Sequence, residues 1–298
     1  HVIDIYRENI EHPWSIPEYI HAAVDLEAGR DRGRLWRLTP PDFKPGARPR
    51  LGSASSAELV ATLENANAWW RETAQRLLFE RQDKSVVPQL HDLVKHGRSA
   101  VGRLHALWVL EGMNELNEDD LLSALRDDVA GVRENAIRLA EPRAQSEKLM
   151  VALLPLANDN DPRVRFQMAF TLGELDGDRA FDALVAIAKR DAADPWTRTA
   201  VLSSVATQAD RLCSRLVEDE EFTALPESNA MLSELAQIVG VRGKTDEIQR
   251  VLEATQRNPQ KALSLRVIAV IGKGLNRSGN KLRAVPLTGT AHELVDNT

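Results

Sequence analysis

The run DNDPRVRFQMAFTLGEL, Asp159 to Leu175, decides the fold. Asp161 stands before Pro162 as an N-cap stands before the first helical position, and an amphipathic helix then runs to Leu172-Gly173. Setting Arg165 over other arginines makes this run one copy among several. NANAWWRETAQRLLFE carries Arg71, with Ala74 three residues on and Leu77 and Leu78 at six and seven. SAVGRLHALWVLEGM repeats the frame from Arg103, DDVAGVRENAIRLAE from Arg133 and DPWTRTAVLSSV from Arg198. SLRVIAVIGKGL gives a weaker copy from Arg266. The intervals are 32, 30, 32, 33 and then 68, which is twice 34. A further copy is therefore expected near residue 232, where MLSELAQIVG puts Leu232 in the arginine column.

Shorter amphipathic segments lie between these helices, among them SAELVATLE, EDDLLSALRD, RAFDALVAIAKR and TDEIQRVLEAT. Each repeat is thus two helices, and neither can bury its apolar stripe without the next pair. The spacing predicts a mainly α protein, a solenoid of about seven helix pairs over residues 55–298 with the last repeat incomplete. Composition agrees: 43% hydrophobic and 28% charged residues suit a folded chain. The net charge of -6 lacks the basic footprint of a general nucleic-acid binder, which also argues against a helical-repeat DNA glycosylase. No apolar run approaches the ~18 residues a membrane span needs. Cys213 is the only cysteine, which rules out an internal disulfide, a CxxCH haem attachment and a multi-cysteine zinc site within these residues. Its amphipathic context, ADRLCSRLVEDE, reads as core.

The pattern resembles HEAT repeats, which Asp159–Leu175 matches from Asp-Pro through Val-Arg to Leu-Gly. The resemblance implies a ladder of polar contacts joining successive turns. Its arginines would be Arg71, Arg103, Arg133, Arg165, Arg198 and Arg266, and its acids Asp161 and Asp194. Asn67 substitutes in the acid column, while Ser99, Val129 and Ala262 depart from it, so the ladder is expected to be broken in places. Arg198 with Asp194 is expected to make the best rung. The role would be structural.

The first residues do not share the repeat. Val2, Ile3 and Ile5 form an extended apolar start, and GRLWRLTP reads as a second short strand. Two short strands cannot make a core alone. DIYRENIEHPWSIP followed by DLEAGRDRGRLWRLTP resembles the last blade of a sorbosone/glucose-dehydrogenase-type β-propeller, as found in the membrane-bound dehydrogenases of planctomycetes and verrucomicrobia. In that family a propeller leads into HEAT repeats, often followed by a c-type cytochrome domain. The resemblance implies a blade remnant at residues 1–38, a linker at 39–54 and the repeats from 55 to 298. It also implies a sugar- or aldehyde-type dehydrogenase parent, haem c in that parent, and a periplasmic or secreted location. The chain opens on His1 without a methionine, which suits a piece of something longer.

Candidate functional residues are few, and no catalytic residue is singled out. His12, Trp14, Arg30, Arg32 and Arg34 could supply a base or donors from a propeller loop. The plainer reading packs His-Pro-Trp against the first helices and pairs the arginines with Glu8, Glu11 and Asp31. Trp69 and Trp196 stand two residues before their arginines, in a column shared with Gly131 and Arg163. A column that tolerates charge reaches the surface, so both could anchor an interface; Trp69 could instead pack on the linker. Trp70 falls in a core column with Val132 and Val164. His91, His96 and His105 lack an Glu-x-x-His or His-x-x-x-His pairing and read as helix-surface histidines, so no metal site is expected. Asp159 and Asp161 imitate a calcium loop without its glycine and closing glutamate. They read as helix-capping residues, and EDEEF, Glu218 to Phe222, as a solvated helix end.

Two functions fit the sequence. One is a non-catalytic, cofactor-free scaffold segment that spaces or docks the propeller and cytochrome domains of a larger dehydrogenase. The other is a stand-alone HEAT scaffold that binds another protein and has no enzymatic role.

Overall fold

The computed structural model of the chain describes residues 2–4, 17–23, 35–44 and 49–296. It divides into two compact units, residues 1–49 and residues 50–298. In the first, β1 (Val2–Asp4) pairs antiparallel with β2 (Leu35–Arg37), placing Ile3 opposite Trp36. Between them in sequence lies α1 (Glu18–His21), a single turn. The division falls inside the segment 39–54, and Leu51 is already buried in the core of the second unit.

The second unit is built of helix pairs. They are α2 (Ser56–Thr62) with α3 (Ala68–Arg81), α4 (Val87–His96) with α5 (Ala100–Gly112), and α6 (Glu118–Ala124) with α7 (Ala130–Ala140). Next come α8 (Glu147–Leu153) with α9 (Pro162–Gly173) and α10 (Asp178–Arg190) with α11 (Pro195–Ser204). Then follow α12 (Ala209–Val217), the short α13 (Glu220–Thr223), α14 (Ser228–Arg242), α15 (Thr245–Arg257), α16 (Lys261–Arg277) and α17 (Gly289–Asp296). With α12 paired to α14 and α15 to α16, the array has seven pairs. Successive second helices α3, α5, α7, α9, α11, α14 and α16 touch in chain order and form one layer. The first helices form the other, with a 3-10 turn at Leu154–Asn158 carrying the contact from α8 to α10, and α17 packs on α15. One hydrophobic core runs without interruption from Leu51 to Val295. This is an α-solenoid of HEAT-type pairs, as the 30-to-34-residue period predicts.

Local chemistry accounts for the boundaries. Ser55 and Glu58 form a reciprocal capping box on α2, and Asn117 and Asp120 another on α6. Asp161 and Asp194 accept backbone N–H bonds at the starts of α9 and α11, each just before a proline whose missing N–H costs nothing there. Gly243, at φ 66°, ends α14 in the left-handed conformation that glycine adopts without strain. Small residues three positions after the arginine, Ala74, Ala106 and Ala136, are fully buried and let neighbouring helices approach. Cys213, on α12, is fully buried, and burial alone pushes its thiol pKa up to about 12, so it is an inert core residue. The EDEEF run differs from expectation: Asp219 caps α13, whose Phe222 is buried in the core. A helix of four residues is too short for its periodicity to be visible in sequence.

No described helix is long and apolar enough to cross a membrane.

Candidate functional site

The arginine column of the second helices builds a polar ladder, but not with the acids expected. Arg103 donates through Nε and Nη2 to Asp127 at 2.5 and 2.8 Å. Arg133 does the same to Asp159, at 2.8 Å for both bonds, and Arg165 to Asp191 at 2.6 and 2.5 Å. Each is a planar fork facing a carboxylate, the strongest side-chain pairing available. The remaining nitrogen, Nη1, donates to the carbonyl six residues earlier: Gly97, Asp127 and Asp159 respectively. Asp127 and Asp159 thus serve two repeats at once. Their carboxylates take the arginine of the repeat before, and their carbonyls take the arginine of their own. Each also accepts the N–H two residues on, from Val129 and from Asp161, at 2.8 Å.

The electrostatics follow from this geometry. Burial pushes the Asp127 carboxyl up, but the bonds from Arg103 and the Val129 amide outweigh it and hold the pKa below the ordinary aspartate value. Asp159 behaves alike, with Arg133 and the Asp161 amide as donors. The guanidiniums of Arg103, Arg133 and Arg165 are raised in turn, first by the bond to their aspartates and against the cost of burial.

Asp161 and Asp194 are not rungs. Asp161 accepts from the Arg163 amide and pairs with the Arg163 side chain, and Asp194 accepts from both the amide and the hydroxyl of Thr197. Their column is a capping column, which is why Asn67 and Ser99 fit in it as caps. Arg198 is not the best rung but the weakest of the four. Its Nε reaches only Glu234, at 3.2 Å, and that side chain is 42% exposed. Arg266 leaves the ladder altogether, being exposed and without an ion pair to any described residue. The residues one and two after it, Val267 and Ile268, are buried, whereas three and four after Arg165 the core takes Met168 and Ala169. The face of α16 is turned relative to the other second helices, so the column position points away from its neighbour.

Of the three histidines His96 is exposed as expected, whereas His91 and His105 are partly buried. His91 meets the fully buried Asp120 through Nδ1 at 2.7 Å. His105 is partly buried between α3 and α5: Nδ1 lies 2.5 Å from Gln75 Oε1, and Nε2 faces Arg71 Nε at 3.4 Å. Burial, and then the charge of Arg71, holds the His105 pKa below the ordinary histidine value. Among the described residues no cluster of His, Cys, Asp and Glu could hold a metal.

Trp69 and Trp196 project from the starts of α3 and α11 and are 53% and 73% exposed. Trp70 turns inward and meets Trp69 edge to face at 6.4 Å. The second-helix layer exposes further apolar groups that carry no signature in the sequence, namely Phe79, Val101 and Phe170, the last stacked edge to face on Phe166 at 5.1 Å. Two grooves open on this layer. One of about 320 Å³ lies between α3 and α5, with Phe79 and Trp108 in its walls. One of about 490 Å³ lies between α11 and α14, floored by Leu202, Ile238 and Val241. His12, Trp14, Arg30, Arg32 and Arg34 lie outside the described residues.

A profile described as HEAT repeats matches residues 118–206, and one described as a domain of unknown function (DUF7133) matches residues 1–42. Neither spans half the chain. No curated protein matches it. The matched repeats are those from α6 to α11, which hold the rungs at Arg133 and Arg165. HEAT repeats commonly mediate protein interactions, and it is as an array of such repeats that residues 50–298 fold.

Proposed function

We propose that the helical array is a non-catalytic docking scaffold whose second-helix layer holds another protein domain. The observation that carries this reading is the set of large apolar side chains left exposed on that layer, Trp69, Phe79, Phe170 and Trp196. Tryptophan in particular is the residue type most concentrated at the energetic centres of interfaces. The ladder fits the same role, because charged forks that fix register make a stiff surface on which such anchors keep their spacing.

A finer reading names the partners. The Tyr6-Arg7-Glu8, His12-Pro13-Trp14 and Gly29–Arg34 runs support a parent built of a dehydrogenase propeller, this scaffold and a haem c domain, located in the periplasm or secreted. In that parent the array itself holds no cofactor and spaces or docks the redox domains. The profile matched at residues 1–42 carries no stated activity, so this reading rests on those runs alone.

The test begins with the coding sequence around this segment. Propeller blades upstream and a CxxCH motif downstream support the redox parent; their absence leaves the stand-alone scaffold. Where those domains exist, each is expressed and titrated against the full chain. Trp196→Ala is expected to weaken binding by about 30-fold, the loss a central anchor gives. Binding unchanged in both Trp196→Ala and Trp69→Ala would remove this face from the interface.

A further inference from the structure

At its amino-terminal end the ladder has half a rung. Arg71 makes the first half as the other arginines do, donating through Nη1 to the carbonyls of Asn65 and Ala66 at 2.7 and 2.9 Å. The second half is missing. Six residues before Arg133 and Arg165 stand Asp127 and Asp159; six before Arg103 stands Gly97. No carboxylate among the described residues lies within ion-pair distance of Arg71, and its Nε meets only the His105 ring nitrogen at a long 3.4 Å. Nor can the chain repair the gap at that position. A Cβ on Gly97 would lie 2.5 Å from the Leu93 carbonyl oxygen and 2.8 Å from its side chain. Glu64 is engaged elsewhere, accepting the Ser99 amide at 2.9 Å.

A partly buried guanidinium whose Nε and Nη2 edge lacks an acid is matched in shape and charge to one kind of group, a carboxylate accepting two parallel bonds. Three copies of the filled arrangement stand beside it in the same array. We propose that the open edge of Arg71 receives a carboxylate from another polypeptide, either an acidic side chain or a chain terminus. About one and two helical turns along α3, Gln75 and Phe79 line the groove that faces Trp108, and an apolar side chain next to the carboxylate fits there. The inference deepens the scaffold reading and rests on it, since it names the chemistry by which a partner is held at one end of the second-helix layer.

The test uses the full ¹⁵N-labelled chain and follows the arginine Nε–H resonances by NMR. The probes are acetyl-leucine, which carries a terminal carboxylate, acetyl-aspartic acid α-amide, which carries a side-chain one, and acetyl-leucine amide, which carries none. The Arg71 signal, identified by its loss in Arg71→Gln, is expected to shift saturably with the first two and not with the third. The signals of Arg103, Arg133 and Arg165, whose slots are full, stay in place. Tighter binding of one acid than the other supports the proposal and names the source. Arg71→Lys keeps the charge but loses the fork, and is expected to bind at least tenfold more weakly, which tests the site even if Arg71→Gln fails to fold. No saturable shift, an equal shift with the amide, or undiminished binding by Arg71→Lys would overturn the proposal. A partner domain that binds Arg71→Lys with full affinity would sink this inference alone. The scaffold reading falls instead if the tryptophan variants leave partner binding untouched.

Discussion

From α7 to α11, successive second helices are tied by charge; from α14 to α16 the tie is backbone against backbone. In the first stretch Arg133 and Arg165 reach across to Asp159 and Asp191. In the second, Leu232 occupies the arginine column and is buried, while Gly240 and Gly274 bring the two helices into direct contact. A Cβ on Gly240 would lie 2.3 Å from the Ile271 carbonyl oxygen, and one on Gly274 2.8 Å from Gly240 Cα. Both devices set the register of one helix pair on the next. The charged device works at a distance and needs specific partners. The steric one needs only the absence of side chains, and it tolerates none.

Removing a rung is the largest expected perturbation. Asp159→Ala leaves Arg133, whose side chain is only 15% exposed, without its carboxylate. A loss of about 3 kcal/mol is expected in urea unfolding, with Asp159→Asn losing about half as much. The linkage has a definite sign. The folded pKa values of Asp127 and Asp159 are depressed, so their contribution is fully present above the unfolded aspartate value near pH 4. It is lost as the pH falls through the folded values, and Asp159→Asn should flatten that acid limb. An unchanged acid limb would mean that the rungs contribute no net stability.

Gly240→Ala tests the steric half of the comparison. One methyl group against the Ile271 carbonyl should cost about 2 kcal/mol and localise the damage. Because each pair stabilises mainly its neighbours, hydrogen exchange should accelerate in α14 and α16 while α7 and α9 keep their protection. Uniform acceleration along the array would contradict the division into two regimes. Arg266→Ala provides the smallest effect and the sharpest control. An exposed arginine without a rung should change stability by less than about 0.5 kcal/mol. A larger loss would return it to the ladder.

Much of this architecture is legible in the sequence because a repeat states its own period several times over. Aligning Arg71, Arg103, Arg133, Arg165 and Arg198 places the second helices of five pairs, and the 68-residue interval places Leu232 on a sixth. The ladder was half legible. Its arginines are fixed by helix frame, but its acids sit in loops, where no periodicity marks them. Asp161 beside its proline drew attention as the acid column because it starts a helix, and that is the job it does. The signal for the true rung was an aspartate six residues before the arginine, present at Asp127 and Asp159 but slipped to seven at Asp191. Arg266 misled for another reason: its identity matched the column while the apolar residues after it did not. Ala269 and Lys273 are exposed, and the core is met by Val267, Ile268 and Ile271. The exposed aromatics besides Trp69 and Trp196 are hidden in the sequence because Phe79 and Phe170 directly follow apolar core residues, Leu78 and Ala169. Only the packing direction tells which face they share.

The carbonyl bonds of the ladder also govern where the chain can change length. In every repeat with a column arginine from Arg71 to Arg198, Nη1 holds the oxygen six residues back, at Asn65, Gly97, Asp127, Asp159 and Ala192. Repeat length varies from 30 to 33 between those arginines, yet this spacing does not. A residue inserted between oxygen and arginine would break the bond, so insertions and deletions must fall elsewhere, in the first helices or in the turns that precede them. In α14 the column residue is Leu232, which can hold no carbonyl. There the connection has grown to span residues 218–227 and carries a helix of its own, α13. Replacing one arginine by leucine thus frees a connection to lengthen, and an array of this kind can acquire new surface at the repeats that have given up their arginine.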